Sequence, residues 1–140
     1  VGIRSQYEVL DSTTARVRQQ EGKFELYYGS FGGEGHPLIF LQRAFHSRYA
    51  GPAGNWTRYR NPGVDQLLDR AAEARDSSSM IRLVREAERV IVEDAPWSLI
   101  SYNKAVVVYQ PYVRGLRATP VDLDWQPLEE VWLAWSIKRR

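Results

Sequence analysis

Two amphipathic helix patterns follow one another in the middle of the chain, and their apolar stripes must be buried for the chain to fold. The first begins at Asn61-Pro62, where the amide can cap free backbone N–H groups and the proline ring pre-sets φ. The second ends before Pro96. Apolar residues at helical spacing are Val64, Leu67, Leu68 and Ala71 in the first pattern, and Met80, Leu83, Val84, Ala87, Val90 and Ile91 in the second. These patterns predict two helices that pack as neighbours.

The segment before these helices has the pattern of a β-α-β unit. Residues 1–10 alternate between apolar and polar side chains, which is typical of a strand buried on one face. Residues 11–20 begin with capping side chains and predict a helix that Gly22 can stop. The aromatic-rich residues 23–29 predict a second strand. We expect the two strands to pair in parallel.

The other segments are shorter and more mixed. Pro37 opens a short apolar helix, and a loop rich in Gly, Pro and Asn follows it over residues 47–59. Residues 97–109 contain two runs of β-forming residues and predict two strands. Residues 128–137 fit either a strand or a short amphipathic helix.

The composition fits one domain that spans residues 1–140. Of the 140 residues, 44% are hydrophobic, which is enough for one moderate core. The formal net charge is +2 and the basic residues are scattered, so the chain lacks the basic stripe of a nucleic-acid-binding protein. No apolar run reaches the roughly 20 residues of a membrane span. The chain begins at Val1 without a leader pattern, so we expect any targeting signal to lie upstream.

The sequence carries no pattern typical of catalysis or metal binding. It has no cysteine, which excludes a disulfide framework and a thiolate metal site. The two histidines, His36 and His46, are not paired at metal-ligand spacing, so we expect neither a metal nor a cofactor. The nucleophile-elbow and phosphate-loop motifs are absent from the sequence. We therefore expect a protein that is not an enzyme.

Three sequence motifs follow one another along residues 61–115 of the chain. They are an Asn-Pro helix start, an Asp-Ala-Pro-Trp helix stop and a Tyr/Pro/Val/Gly turn after a strand. The matching residues are Asn61, Pro62 and Asp65 in the first, Asp94 to Trp97 in the second, and Tyr109, Pro111, Val113 and Gly115 in the third. In this serial order the motifs resemble the C-terminal portion of the peptide/nickel-type (family 5) extracellular solute-binding proteins of ABC transporters. The order of the motifs, rather than any single one, carries the resemblance.

This resemblance implies an α/β fold that forms the C-terminal part of one lobe of a periplasmic-binding-protein-like (type II) structure. It implies a periplasmic or extracellular protein that captures an oligopeptide or other small-molecule ligand between two lobes. Hinge closure would enclose the ligand. The partner implied is the permease of an ABC transporter, through which the protein associates with the membrane.

The resemblance also indicates which residues contact the ligand. In the family, the loop after the second strand faces the cleft, and here that loop contains Ser30, Phe31, Gly32, Gly33 and Glu34. Gly33 stands where peptide-binding relatives carry an Asp for the ligand's amino terminus. The adjacent Glu34 can replace that carboxylate, because a carboxylate beside a desolvated ammonium makes a strong hydrogen bond. The alternatives are a solvated Glu34 and a simple strand-to-helix turn.

Two further residues, Asn55 and Trp56, lie in the polar and aromatic loop after the short helix, and we expect them to border the cleft. The alternative for Trp56 is that it caps the core, since Trp is usually well buried. A different function is also open at this point. Exposed aromatic residues such as Trp132 and Trp135 would suit a self-standing protein-interaction domain.

Overall fold

The computed structural model describes residue 2 and residues 4–32, 35–101, 106–117 and 128–134. Within these ranges the element order is four α-helices followed by two short strands, with a 3-10 turn at Ser47–Tyr49 and another at Leu128–Glu130. The helices are α1 (Ser12–Glu21), α2 (Pro37–Phe45), α3 (Pro62–Ala72) and α4 (Ser77–Asp94). The strands are β1 (Val113–Arg114) and β2 (Trp132–Leu133).

Helices α3 and α4 form the packed pair that their apolar stripes predict. Asn61 caps α3, because its Oδ1 accepts the backbone N–H groups of Gly63 and Val64. Asp76 caps α4 by accepting the N–H of Ser79 at 2.8 Å. The short connection between the helices makes them antiparallel neighbours.

Helix α2 lies against both α3 and α4 and completes the core. Its N-terminal proline and its apolar face confirm the helix expected after residue 36. Three helices therefore bury one shared apolar layer. The buried residues are Leu38, Leu41, Ala44 and Phe45 from α2, Val64, Leu68 and Ala71 from α3, and Leu83, Val84, Ala87 and Ile91 from α4.

Helix α1 confirms the capping signals read from the sequence. The Asp11 carboxylate accepts the N–H groups of Thr13 and Thr14, and Gly22 ends the helix with a φ of 72°. Arg58 attaches this end to the rest of the chain by donating from its guanidinium to the Gln20 carbonyl oxygen at 3.2 Å. A cation at a helix C-terminus is also favourable to the helix dipole.

The predicted strands are the part of the fold that the structure does not form. Residues 4–10 and 23–29 adopt no strand, and the parallel pairing expected between them is absent. Residues 97–101 and 106–109 are likewise unpaired, and residues 102–105 lie outside the described ranges. The physical reason is that β-forming side chains favour a strand only where a second strand accepts the backbone hydrogen bonds. The described residues therefore do not form the predicted β-α-β unit.

The only sheet formed by the described residues is an antiparallel ladder in which Val113 pairs with Leu133 and Arg114 with Trp132. Gly115 follows β1 with a φ of 84°, and a Cβ at this position would lie 1.8 Å from the Glu130 carbonyl oxygen. Glycine is thus required at this close approach of two backbones. Residues 128–134 combine a 3-10 turn with β2, and the rest of the ambiguous segment lies outside the described ranges.

Candidate functional site

The loop that was expected to contact ligand is held on an aromatic cluster at the edge of the helical core. The Phe31 ring centroid lies 5.4 Å from that of Phe40, 4.9 Å from that of Trp56 and 5.1 Å from that of Trp97. Trp97 also lies 4.6 Å from Phe45, so the cluster continues into the buried layer. Aromatic contacts of this kind add to the free energy gained by burying apolar area.

The structure therefore brings together two of the expected site residues, Phe31 and Trp56. Their contact is a packing of the two rings. Phe31 is partly buried and anchors its loop to the core. The Trp56 indole nitrogen Nε1 is buried, and within the described part of the chain it has no hydrogen-bond acceptor. A buried donor without a partner costs free energy, and a polar acceptor that reached it would remove that cost.

Among the described residues of the loop, Ser30 and Gly32 are the exposed ones. Both are open to solvent, and a Cβ built on Gly32 would meet no atom within 4 Å. Gly33 and Glu34, the two positions most informative about a cationic ligand, lie outside the described residues. Ser30 and Gly32 thus offer a small solvent-exposed surface on either side of Phe31.

Asn55 occupies a different environment from the other expected site residues. Its side chain is 0% exposed, and its amide is fully used within the protein. Nδ2 donates to the carbonyl oxygens of Tyr59 at 2.8 Å, His46 at 3.3 Å and Phe45 at 3.4 Å. Oδ1 accepts the Tyr59 N–H at 3.0 Å. In this arrangement Asn55 organises the loop over residues 46–59 from inside, with no atom left to face a ligand.

Tyr59 and Asn61 connect that loop to the end of α4. The Tyr59 hydroxyl donates a hydrogen bond to the Asp94 carboxylate, and Asn61 Nδ2 donates to Asp94 Oδ2 at 2.7 Å. These two donors lower the pKa of the Asp94 carboxyl below its ordinary value. Burial and the adjacent carboxylate raise the pKa of Tyr59 to about 12. The Asn-Pro start and the Asp-Ala-Pro-Trp stop are thereby joined through their first residues.

A polar cluster around His46 lies on the other side of the loop. The Arg48 N–H donates to His46 Nδ1 at 3.1 Å, which places the ring proton on Nε2, 3.2 Å from Asp69 Oδ1. The Ser47 N–H and hydroxyl both donate to Asp65, the N–H at 2.9 Å. Ser47 is therefore bonded to a carboxylate rather than to the imidazole. The arrangement does not activate a nucleophile.

No group of three or more His, Cys, Asp or Glu side chains among the described residues is arranged to hold a metal ion. Asp65 and Asp69 approach different nitrogens of the His46 ring, so their oxygens do not converge on one point. None of the helices in the described ranges has the length and apolarity of a membrane span.

A shallow depression of about 300 Å³ lies beside the loop, at the start of α2. Its walls are mainly apolar, and Glu88 on α4 contributes a carboxylate. It is lined by Gly35, His36, Pro37, Phe40, Leu41, Val84 and Glu88. Val84 and Glu88 carry no sequence signal that marks them for this surface. Their spacing of four residues places them on one face of α4. Only the position of the neighbouring α2 shows that this face borders the depression.

Several curated proteins are similar in sequence to this chain. The probable D,D-dipeptide-binding periplasmic protein DdpA of Escherichia coli (strain K12) is 25% identical over 122 residues, which are 86% of this chain and 24% of that protein. The probable di/tripeptide-binding protein 5 of Pseudomonas aeruginosa (strain UCBPP-PA14) is 25% identical over 120 residues, 85% of this chain and 23% of that protein. Heme-binding protein A of Haemophilus influenzae (strain ATCC 51907 / DSM 11121 / KW20 / Rd) is 24% identical over 125 residues, 89% of this chain and 23% of that protein.

The chain spans about a quarter of the length of these relatives. No protein-family model matches it, and no solved structure matches it. The matched proteins are named for binding or transport rather than for catalysis. Over most of its own length the chain is similar in sequence to periplasmic binding proteins of the peptide/nickel-type (family 5) class, which agrees with the resemblance of its motifs.

Proposed function

We propose that this chain is part of the extracytoplasmic solute-binding component of an ABC importer, and that it helps to capture a peptide or similar small solute. The observation that carries the proposal is the match of most of the chain to proteins named for such ligands. Of seven matched proteins, six are named for peptides and one for heme. A peptide is therefore the first ligand class to test.

In this proposal the chain, as one domain, forms the C-terminal part of one lobe of a type II binding protein. The helical layer of α2, α3 and α4 supplies a support, and Phe31 of the loop packs at its edge against Trp97. Ligand that contacts both lobes favours the closed state by its differential affinity for that state. One lobe alone makes only part of the contacts and binds weakly.

The ligand-facing atoms on this lobe are those of the exposed loop. Ser30 offers a hydroxyl, and Gly32 and Gly33 offer backbone amides that a ligand can approach closely. Glu34 supplies a carboxylate for a cationic group. Phe31 supports the loop from beneath, and Trp56 has an indole N–H without a partner in the described structure. Asn55 shapes the neighbouring loop rather than contacting ligand.

The partner and the location follow from the same proposal. The liganded protein delivers its solute to the permease of an ABC transporter, outside the cytoplasm. The relative DdpA is named as a periplasmic protein, which supports this location. Neither a cofactor nor catalysis is part of the proposed role.

A thermal-shift panel on the complete gene product tests the proposal. The panel contains dipeptides, tripeptides, D,D-dipeptides, heme and sugars. A ligand present at 100 times its dissociation constant stabilises the folded protein by about 2.7 kcal/mol. We expect such stabilisation from at least one peptide class. If no peptide shifts the transition while an unrelated solute does, the peptide assignment is wrong.

One observation favours a second candidate, a self-standing protein-interaction domain. Trp132 on β2 is exposed beside the exposed Leu133, and exposed aromatic residues are enriched at protein interfaces. The candidates differ in how the purified complete gene product behaves. A solute-binding component binds a small solute without a protein partner, whereas an interaction domain does not.

A further inference from the structure

His46 is a buried histidine between two carboxylates, at the point where α2 ends and the loop over residues 46–59 begins. Its side chain is 6% exposed. Asp65 Oδ1 lies 3.3 Å from Nδ1 of the ring, and Asp69 Oδ1 lies 3.2 Å from Nε2. Both carboxylates come from one face of α3, because positions four residues apart are neighbours on a helix. The capture of a solute, as proposed above, gives this imidazole no role.

The neutral ring acts as the cap of the 3-10 turn at Ser47–Tyr49. The Arg48 backbone N–H donates to Nδ1 at 3.1 Å, so Nδ1 carries the lone pair and Nε2 carries the proton. Nε2 donates to Asp69, while Asp65 accepts the N–H and the hydroxyl of Ser47. Nδ1 and Asp65 Oδ1 are then two acceptors 3.3 Å apart with no hydrogen between them.

One additional proton reverses the role of Nδ1. Both nitrogens of an imidazolium are donors, so the Arg48 N–H loses its acceptor. The new Nδ1–H faces Asp65 Oδ1, and a carboxylate is a strong acceptor for a charged donor. Nε2 keeps its bond to Asp69. The cluster therefore has two hydrogen-bond arrangements, and a proton on His46 selects between them.

The groups around the ring are compatible with both arrangements. Among the described residues, the titratable or charged groups that face it are Asp65 and Asp69 from α3 and Arg48 and Tyr49 from the 3-10 turn. The Arg48 guanidinium pairs with Asp69, and the Tyr49 ring lies edge-on to the imidazole. A protonated ring consequently has an anionic oxygen beside each of its nitrogens.

We propose that His46 is a proton-operated switch for the loop over residues 46–59. On the alkaline side of the range in which histidine changes charge, roughly pH 5 to 8, the ring caps the turn. On the acid side the ring binds Asp65, and the Arg48 N–H is released. The same loop carries Trp56, which packs on Phe31. Any effect of acid on ligand capture rests on the proposed function, whereas the switch itself does not.

Hydrogen exchange on the complete gene product, without ligand, tests the switch. Peptic fragments that cover residues 47–50 report on the Arg48 amide, and fragments of α4 serve as the internal reference. Rates are corrected for the pH dependence of exchange by unprotected amides. We expect the turn to lose at least about tenfold of its protection between about pH 8 and pH 5, while α4 keeps its own. Unchanged protection of the turn overturns the proposal.

Two substitutions distinguish the switch from a general effect of acid. His46→Asn places an amide oxygen near the position of Nδ1, so the Arg48 N–H keeps an acceptor that does not titrate. Protection of the turn in this variant should be the same at both pH values. His36→Asn removes the other histidine of these 140 residues and should leave the acid loss as in the natural protein. An equal acid loss in the two variants contradicts a switch at His46.

Nitrogen-15 NMR of histidine-labelled natural protein gives a test that does not require the His46 variant to fold. The ring nitrogen shifts report which nitrogens carry a proton. We expect one proton, on Nε2, at alkaline pH and protons on both nitrogens in acid. The change should have the same midpoint as the loss of protection at Arg48. A ring that keeps a single proton until the protein unfolds, or a different midpoint, overturns the proposal.

Discussion

Asn61 Nδ2 donates a hydrogen bond to Asp94 Oδ2 at 2.7 Å. This bond links the N-cap residue of α3 to the last residue of α4. The same Asn61 side chain caps α3 through its oxygen. One amide therefore stabilises a helix start and fixes the end of the neighbouring helix. This double use explains why an Asn, rather than another capping residue, suits this position.

Substitutions at Asn61 can separate the two roles. Asn61→Ala removes both the cap and the donor, and the cap alone contributes about 1 kcal/mol to the unfolding free energy. Asn61→Asp keeps a capping oxygen but places a second carboxylate beside Asp94. We expect both variants to be less stable than the natural protein in denaturant unfolding. The cost of the Asp variant should shrink as salt is added, because salt screens like charges. A salt-independent cost would contradict the Asn61–Asp94 contact.

The stability of the chain should depend on pH through Asp94 and Tyr59. The pKa of Asp94 is lowered by the hydrogen bonds from Tyr59 and Asn61, so its contribution is present above its ordinary value of 3.8 and is lost as the pH falls through the lowered value. The pKa of Tyr59 is raised from 10.0 to about 12, so its contribution is present below pH 10.0 and is lost as the pH rises toward 12. Denaturant unfolding at a series of pH values measures both the acid loss and the alkaline loss of stability.

Tyr59→Phe is the variant that tests this dependence. It removes the titrating hydroxyl and also the largest cause of the lowered Asp94 pKa. We expect the alkaline loss of stability to shrink and the acid loss to become smaller. Asp11 and Asp76, whose pKa values are lowered by capping bonds, retain part of the acid loss in the variant. Identical pH profiles for the two proteins would exclude a bond between Tyr59 and Asp94.

Asn55 should act as a structural residue of the loop. Asn55→Ala removes the side-chain donor to the Phe45 and Tyr59 carbonyl groups and the acceptor of the Tyr59 N–H, and it should lower the unfolding free energy by about 3 kcal/mol. Thr57→Ala is the control, since the exposed Thr57 makes a single bond to Asn55 Oδ1. The control should stay within about 0.5 kcal/mol of the natural protein. Unchanged stability together with weaker ligand affinity in the complete product would return Asn55 to the ligand site.

Gly32 tests whether the exposed loop faces ligand. Gly32→Trp fits the structure, because the position is open and needs no left-handed backbone. We expect this variant of the complete gene product to fold normally and to lose at least about tenfold in ligand affinity, which is 1.4 kcal/mol. Arg75→Trp, in the exposed connection between α3 and α4, is the control and should bind normally. Equal affinities would remove the Gly32 surface from the binding site.

The helices were predictable because their signals are local. The caps at Asp11 and Asn61, and the apolar stripe of α4, each lie within a few residues of the element that they define. The strands expected at residues 23–29 and 97–109 depend on partners distant in sequence, and the described structure provides none. Local β-propensity cannot supply a missing partner strand.

The candidate site was predictable only in part for a related reason. The sequence places Phe31 and Trp56 in two different loops, and their ring contact follows from tertiary packing. An Asn in a Gly- and Pro-rich loop is typical of an exposed turn, so its burial was not predictable from the sequence. Only the coordinates show that the Asn55 amide is turned inward to bond three carbonyl groups.

Calorimetric titration with peptide ligands tests most directly whether this chain is one part of a solute-capturing protein. The titration compares the complete gene product with the 140-residue chain, using the peptide that gives the largest thermal shift. We predict saturable one-to-one binding by the complete product and binding at least about 100-fold weaker, or 2.7 kcal/mol, by the chain alone. Equal affinity of the two proteins, or a complete product that binds no peptide, would contradict the account.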